Sequence, residues 1–322
     1  MKLYYHYAII SICFIGIITS CKHTSSIQVD NPVMKLVFTR DNEIYLFDML
    51  SDSLELLLPL NEPVWTNELG FTYYRIWADQ AHWSPSGDEI VYIEAVGTDG
   101  GHLRTLNPTT GEQQFFPYYV YRQDISPEWS IDGNYIIYSK SLASLGLNYE
   151  IFIINIDGLN DKQITDRPFH DDVCPSLHPN GVDIIFNSSD NRVTDFPNIF
   201  HTTTSMDSSI CLSCDDYQIS LQPKYNPVTA EIIFAHRSIS GDNLAIYKVP
   251  DNFCSNPVQL VDSIFATGGF SWSNDGNFIV FVRVSGGIHG PYTNPEIWMM
   301  NSDGSEKMMV VKNATSPSLW VQ

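Results

Sequence analysis

The phrase WSPSGDEIVYIE, which begins at Trp83, returns as WSIDGNYIIYSK at Trp129 and as WSNDGNFIVFVR at Trp272. Repetition at a long interval constrains a fold more than any local propensity, because one copy cannot bury its apolar face alone and must stack on its neighbours. Weaker copies begin at Leu177 and Tyr225, and a last one at Trp320, giving intervals of 46, 48, 48, 47 and 48 residues. The copies from Trp83 to Trp272 each continue into an alternating apolar segment that ends on an aromatic, Tyr92, Tyr138, Phe186, Phe234 or Phe281, and a like segment ends on Phe38 ahead of the first copy. Between the two lie SPSG, SIDG, HPNG, NPVT and SNDG, whose Asp, Asn and Gly supply the backbone angles of a tight hairpin. Only NPVT lacks the glycine.

Third segments follow, such as EIYLFDM, EIFIINIDG, LAIYKVP and EIWMMNSDG, and then short fourth ones such as KQITD and KMMVV. Four short strands in a period of about 47 residues are the signature of a β-propeller blade. No sustained helical period interrupts them, so the expected class is all-β. Six second strands are present, but SIQVDNP, ahead of Phe38, has neither a Trp nor a turn. At the other end SPSLWVQ carries Trp320 and then stops. The spare C-terminal strand fits the incomplete first blade, and pairing them removes two sheet edges. The expectation is a ring of six four-stranded antiparallel blades, closed by the C-terminal strand.

WSPSG, WSIDG and IFIINIDG resemble the WD40-like repeat of the TolB family, over about Met34 to Gln322. The resemblance implies a TolB-like propeller. TolB proteins carry an α/β domain before it, whereas here about a dozen residues separate Cys21 from the first blade. The resemblance therefore carries over architecture rather than a place in the Tol machinery, and such a widely used fold does not specify a function.

The first 21 residues place Lys2 before an apolar run and end on Ile18-Thr19-Ser20-Cys21. The run is short for a membrane span and suits a secretory signal. Its end resembles the lipobox of bacterial lipoproteins, which implies lipidation of Cys21. The expected organisation is a signal peptide over 1–20, a polar tether over 21–33 and the propeller over 34–322. Lys22 after that cysteine points to the periplasmic side of an outer membrane. Of the cysteines beyond it, Cys174, Cys211, Cys214 and Cys254, a lone CxxC is half a zinc site, so buried thiols or one structural disulfide are expected. The formal charge of −20 repels phosphate backbones and argues against a nucleic-acid partner.

In such a blade the first and third turns share one end, and the second loop and the inter-blade link share the other. Here the latter are long and rich in functional groups. The link NEPVWTNELGFTYYRIWADQ offers Trp65, Phe71, Tyr73, Tyr74, Arg75, Trp77 and Asp79. The next, FFPYYVYRQDIS, offers Tyr118, Tyr119, Tyr121, Arg122 and Asp124, and TDRPFHDDVCP adds Arg167, His170, Asp171 and Asp172. Aromatic faces can stack on sugar rings or peptide side chains, while Arg and Asp hydrogen-bond the polar groups around them. The candidate ligand-binding set is Arg75, Trp77, Asp79, Tyr121, Arg122, Asp124, His170 and Asp172. The same arginines and aspartates could instead clasp neighbouring blades, with the aromatics sealing the gaps. No G-x-S-x-G elbow and no zinc-type histidine spacing occur. The leading expectation is a monomeric, non-enzymatic, lipid-anchored envelope protein, without cofactor, that binds a protein partner or a glycan through this face. The alternative is a polysaccharide lyase or hydrolase with a metal-assisted site at the channel mouth, with His82 and His170 as possible ligands.

Overall fold

The computed structural model describes residues 32–322 except 67, 98–99, 118–122, 144–146, 191–196, 207, 214–217, 239–243, 252–255, 265–268 and 286–292. Blade 1 begins with β1 (Met34–Arg40), β2 (Glu43–Asp48) and β3 (Ser53–Leu58). Blade 2 has five strands: β4 (Pro63–Thr66), β5 (Thr72–Trp83), β6 (Ile90–Val96), β7 (Gly101–Leu106) and β8 (Gln113–Phe115). Blade 3 is β9 (Asp124–Trp129), β10 (Tyr135–Ala143), β11 (Leu147–Asn155) and β12 (Lys162–Gln163). Blade 4 is β13 (His170–Leu177), β14 (Asp183–Asp190), β15 (Asn198–Thr203) and β16 (Ile210–Cys211). Blade 5 is β17 (Gln218–Tyr225), β18 (Ile232–Ser238), β19 (Leu244–Val249) and β20 (Val258–Ile264). Blade 6 is β21 (Phe270–Trp272), β22 (Phe278–Ser285), β23 (Thr293–Asn301) and β24 (Met308–Lys312), and β25 (Thr315–Val321) follows it.

All pairings are antiparallel, and β25 joins β1, so the C-terminal strand completes blade 1 and closes the ring as expected. The apolar core of the described residues divides into six clusters, each formed by the facing sides of two successive blades. The cluster between blades 2 and 3, for example, joins Val91 and Ile93 to Trp129, Ile136 and Tyr138. Alternation along each central strand therefore feeds one side chain to the blade before and the next to the blade after.

The tryptophans that mark the repeat act between blades. The Trp129 indole N–H donates to the carbonyl of His82 in blade 2 at 3.1 Å, and that of Trp272 to the carbonyl of Lys224 in blade 5 at 3.2 Å. Blade 1 departs from the pattern. Leu319, not Trp320, lies opposite Leu36 in the register that Trp83, Trp129 and Trp272 hold opposite Ile90, Ile136 and Ile279. Trp320 instead covers Gly87 in the hairpin of blade 2 and donates to the Pro85 carbonyl at 3.3 Å. A Cβ on Gly87 would sit 2.2 Å from the indole, and its φ of 76° also favours glycine. The seam is held on its other flank by Asn274 of blade 6, whose amide oxygen accepts from Val321 N–H at 2.7 Å and whose amide nitrogen donates to the Val321 carbonyl at 3.1 Å.

Once that register is corrected, every inner strand shows the same irregularity. Three residues before the marker position stands a left-handed residue: Gln80, Ser126, Cys174, Gln222, Gly269 and Ser316, with φ between 50° and 83°. Most adjoin a register slip in the ladder, as between Asp79 and His82 or Val173 and Ser176. Such a bulge bends the strand and re-aims its side chains. These residues and their neighbours line the central channel.

Candidate functional site

The chain alternates between two different ends. Turns such as 84–89, 130–134 and 273–277 form one end and are short and self-bonded. In the last of these, Ser273 Oγ donates to Asp275 at 2.5 Å and Gly276 N–H donates to the Ser273 carbonyl at 2.9 Å. The inter-blade links and second loops form the other end, and there blade 2 departs from its neighbours. Its link folds back as the hairpin β4–β5, an extra strand paired with the extended start of the inner strand through Pro63–Tyr74, Trp65–Tyr73 and Thr66–Thr72.

The hairpin presents aromatics outward. Trp65 and Tyr73 stack with ring centroids 4.9 Å apart and planes 26° from parallel. Trp65 is 53% exposed, Phe71 64% and Tyr74 50%, and Leu69 and Ile76 lie exposed beside them. The loop after β6 supports the base: Gly97 N–H donates to the Tyr74 carbonyl at 3.2 Å. A Cβ on Gly97, whose φ is 67°, would come within 3.0 Å of the Tyr73 ring. Large exposed apolar clusters are uncommon on monomeric proteins, which makes this hairpin a candidate interaction surface.

The charged members of the sequence-derived set lie beneath this surface. Arg75 is 2% exposed, and its Nε donates to Glu94 at 3.0 Å. Its Nη1 reaches Glu62 at 3.2 Å and the Pro59 carbonyl at 3.0 Å. Glu94, wholly buried, also takes Arg104 Nε at 2.9 Å, so two guanidinium groups share one carboxylate across three strands of blade 2. Asp79 accepts from Thr39 Oγ1 of blade 1 at 2.7 Å, a contact between blades. Asp124 is buried with Leu103 N–H at 3.2 Å; desolvation raises its carboxyl to about 6 against the pull of Lys140. Trp77 is half-buried and packs on the core between blades 2 and 3, its ring against Gly101. Tyr121 and Arg122, like Cys21, lie outside the described residues.

Blade 4 holds the remaining two. Asp172 is buried and accepts from Arg167 Nη1 at 3.3 Å, and desolvation raises its carboxyl despite that partner. His170 sits 4.0 Å from Asp190 and 3.2 Å from the Pro168 carbonyl. Beside them, Glu150 of blade 3 accepts from Thr165 Oγ1 at 2.6 Å and Arg167 N–H at 2.8 Å. Burial still lifts Glu150 to about 7. The face thus rests on buried charged struts, and the sequence could not reveal their partners.

Small cavities of about 100 and 130 Å³ open on the channel, both lined by His82 and Lys224. An ion pair between Glu128 of blade 3 and Lys224 of blade 5 crosses the channel, with Ser176 of blade 4 donating to Glu128 at 2.7 Å. His82, half-buried in the wall, is lowered to about 3 by desolvation and then by Lys224, so its imidazole is neutral at ordinary pH. Cys174 is a free thiol there, 3.6 Å from Ser126 Oγ and raised by burial. Cys211 is disulfide-bonded. His82 and His170 do not converge. Among the described residues, no group of three or more His, Cys, Asp or Glu side chains is placed to hold a metal ion.

Comparison with protein-family models gives no match, and comparison with curated proteins gives none either. Solved structures do match. TolB from Acinetobacter baumannii superposes with a TM-score of 0.68 at 15% identity, over 89% of this chain and 66% of that one. A protein assigned as TolB from Agrobacterium tumefaciens gives a TM-score of 0.58 at 14% identity, over 91% and 98% of the two chains. A chain of the nidogen/laminin complex gives 0.59 at 10%, over 89% and 98%. This chain spans about two thirds of the Acinetobacter protein's length. At these identities the likeness is one of fold, a TolB-like propeller.

Proposed function

We propose that this TolB-like propeller is a non-enzymatic binding module of the cell envelope, held by a lipid on Cys21, that captures a protein partner or a glycan on its loop-rich face. The observation that carries the proposal is the outward-facing aromatic hairpin of blade 2. Trp65, Tyr73 and Tyr74 contribute little to any core where they stand, yet their backbone is paired within the β4–β5 hairpin and the Tyr74 carbonyl accepts from Gly97 N–H. Rigid aromatics supply large contact area at low entropic cost, the property of interface anchors. A similar fold occurs in a chain of the nidogen/laminin complex, in keeping with a propeller used for protein association.

The test is the double change Trp65→Ala and Tyr73→Ala, with binding read on glycan arrays and by capture from envelope extract. Each lost aromatic should remove on the order of 1 kcal/mol, so together they weaken binding roughly tenfold or more, with the melting temperature unchanged. Unaltered binding profiles in both assays would refute the assignment of this face. Separately, Cys21→Ala should release the protein from the membrane fraction, and unchanged association would refute the anchor.

A further inference from the structure

We infer that the outer edge of β4 takes up an extended, basic segment of a protein partner as an added strand, with the Trp65–Tyr73 pair gripping an apolar side chain of that segment. The inference deepens the binding-face proposal and rests on it. β4 is the terminal strand of its sheet, paired to β5 on one side and, among the described residues, to no strand on the other. A terminal strand presents a row of backbone donors and acceptors, and proteins commonly guard such edges with charge or proline. Here only Pro63 guards it, at one end, and Val64, Trp65 and Thr66 follow it without a charge. An open edge flanked by a stacked aromatic pair has the two parts that strand addition uses. Main-chain bonds give affinity, and alternate side-chain positions give specificity.

Charge selects the occupant. The hairpin segment from Asn61 to Tyr74 contains Glu62 and Glu68 and no lysine or arginine, and the whole protein carries 37 acidic against 17 basic side chains. Lys or Arg on the incoming strand would be drawn in, while an acidic strand would be repelled.

The probe is a synthetic peptide of about twelve residues that alternates Lys with Val and carries one central Trp. It is titrated into the protein from residue 21 onwards with Cys21→Ser. Binding is expected, with at least a tenfold loss when alternate amides are N-methylated on one edge, which blocks strand pairing and keeps the side chains. A similar loss is expected when Glu replaces Lys in the peptide, and for Trp65→Ala at unchanged melting temperature. Equal affinity of the N-methylated peptide, no effect of Trp65→Ala, or no binding at about 1 mM peptide overturns the inference. Trp65-dependent flotation with phosphatidylethanolamine/phosphatidylglycerol vesicles overturns it in favour of lipid, and Trp65-dependent dimerisation does so in favour of a second copy. If a glycan array still shows Trp65-dependent binding while the peptide fails, strand addition falls and the binding face stands. If nothing depends on Trp65 or Tyr73, both fall.

Discussion

Replacing Glu94 by Gln distinguishes a strut from a binding group at Arg75. Glu94 is wholly buried and is the shared acceptor of Arg75 Nε at 3.0 Å and Arg104 Nε at 2.9 Å. Gln keeps the shape but removes the charge, and its amide can turn only one oxygen towards two guanidinium donors. Arg104 keeps the Leu103 carbonyl and the face of Phe115, 4.6 Å away, but neither is an anion. Arg75 keeps half-exposed Glu62 and the Pro59 carbonyl, of which Glu62 alone is an anion. Breaking a buried pair from one side costs about 3–5 kcal/mol, because the remaining charge stays desolvated without its partner. For a domain of this size each kcal/mol lowers Tm by about 2 °C, so calorimetry should show a fall of roughly 6–10 °C. Arg75→Met should be milder than Glu94→Gln, since it takes away a buried charge together with its need for one. Array binding by the folded fraction of both variants should match the parent. A Glu94→Gln protein that melts within about 1 °C of the parent would overturn the strut assignment, as would Arg75→Met that keeps its Tm and loses binding.

Two further outcomes follow from the same packing. Deleting Pro317 onwards strips blade 1 of its inner strand and uncovers Leu36, Phe38 and the facing Ile297 and Met299, so Tm should fall and the protein should aggregate; a truncated chain that melts like the full one would contradict closure by β25. Glu150, lifted to about 7 by burial, binds its proton more tightly folded than unfolded. Between about 4.5 and 7 the native state therefore holds more protons, and its contribution to stability falls as pH rises through that window; urea unfolding across the window should show that fall reduced in Glu150→Gln, and an unchanged pH slope would refute the assignment.

The sequence by itself determined the architecture. Strand alternation and Asp-Gly or Asn-Gly turns are local signals, recurring often enough that six weak copies reinforce one another. The unpaired ends at SIQVDNP and SPSLWVQ then announced their own pairing. It also gathered Trp65, Phe71, Tyr73 and Tyr74 into one inter-blade link, but it could not separate a binding surface from a seal between blades, and its candidate set took Arg75, Trp77 and Asp79 from that link instead. What it could not give were lateral relationships. Arg75 reads as an exposed loop cation until Glu94 and Arg104 are brought beside it from strands nineteen and twenty-nine residues further on. Trp320 looks like the sixth marker, yet the ladder with β1 places Leu319 there, because the indole finds its cover over Gly87 in the next blade. The left-handed residues Gln80, Ser126, Cys174 and Gln222 carry no glycine to betray them. Their backbone is set by six strands converging on one axis, a constraint that exists only once the ring has closed.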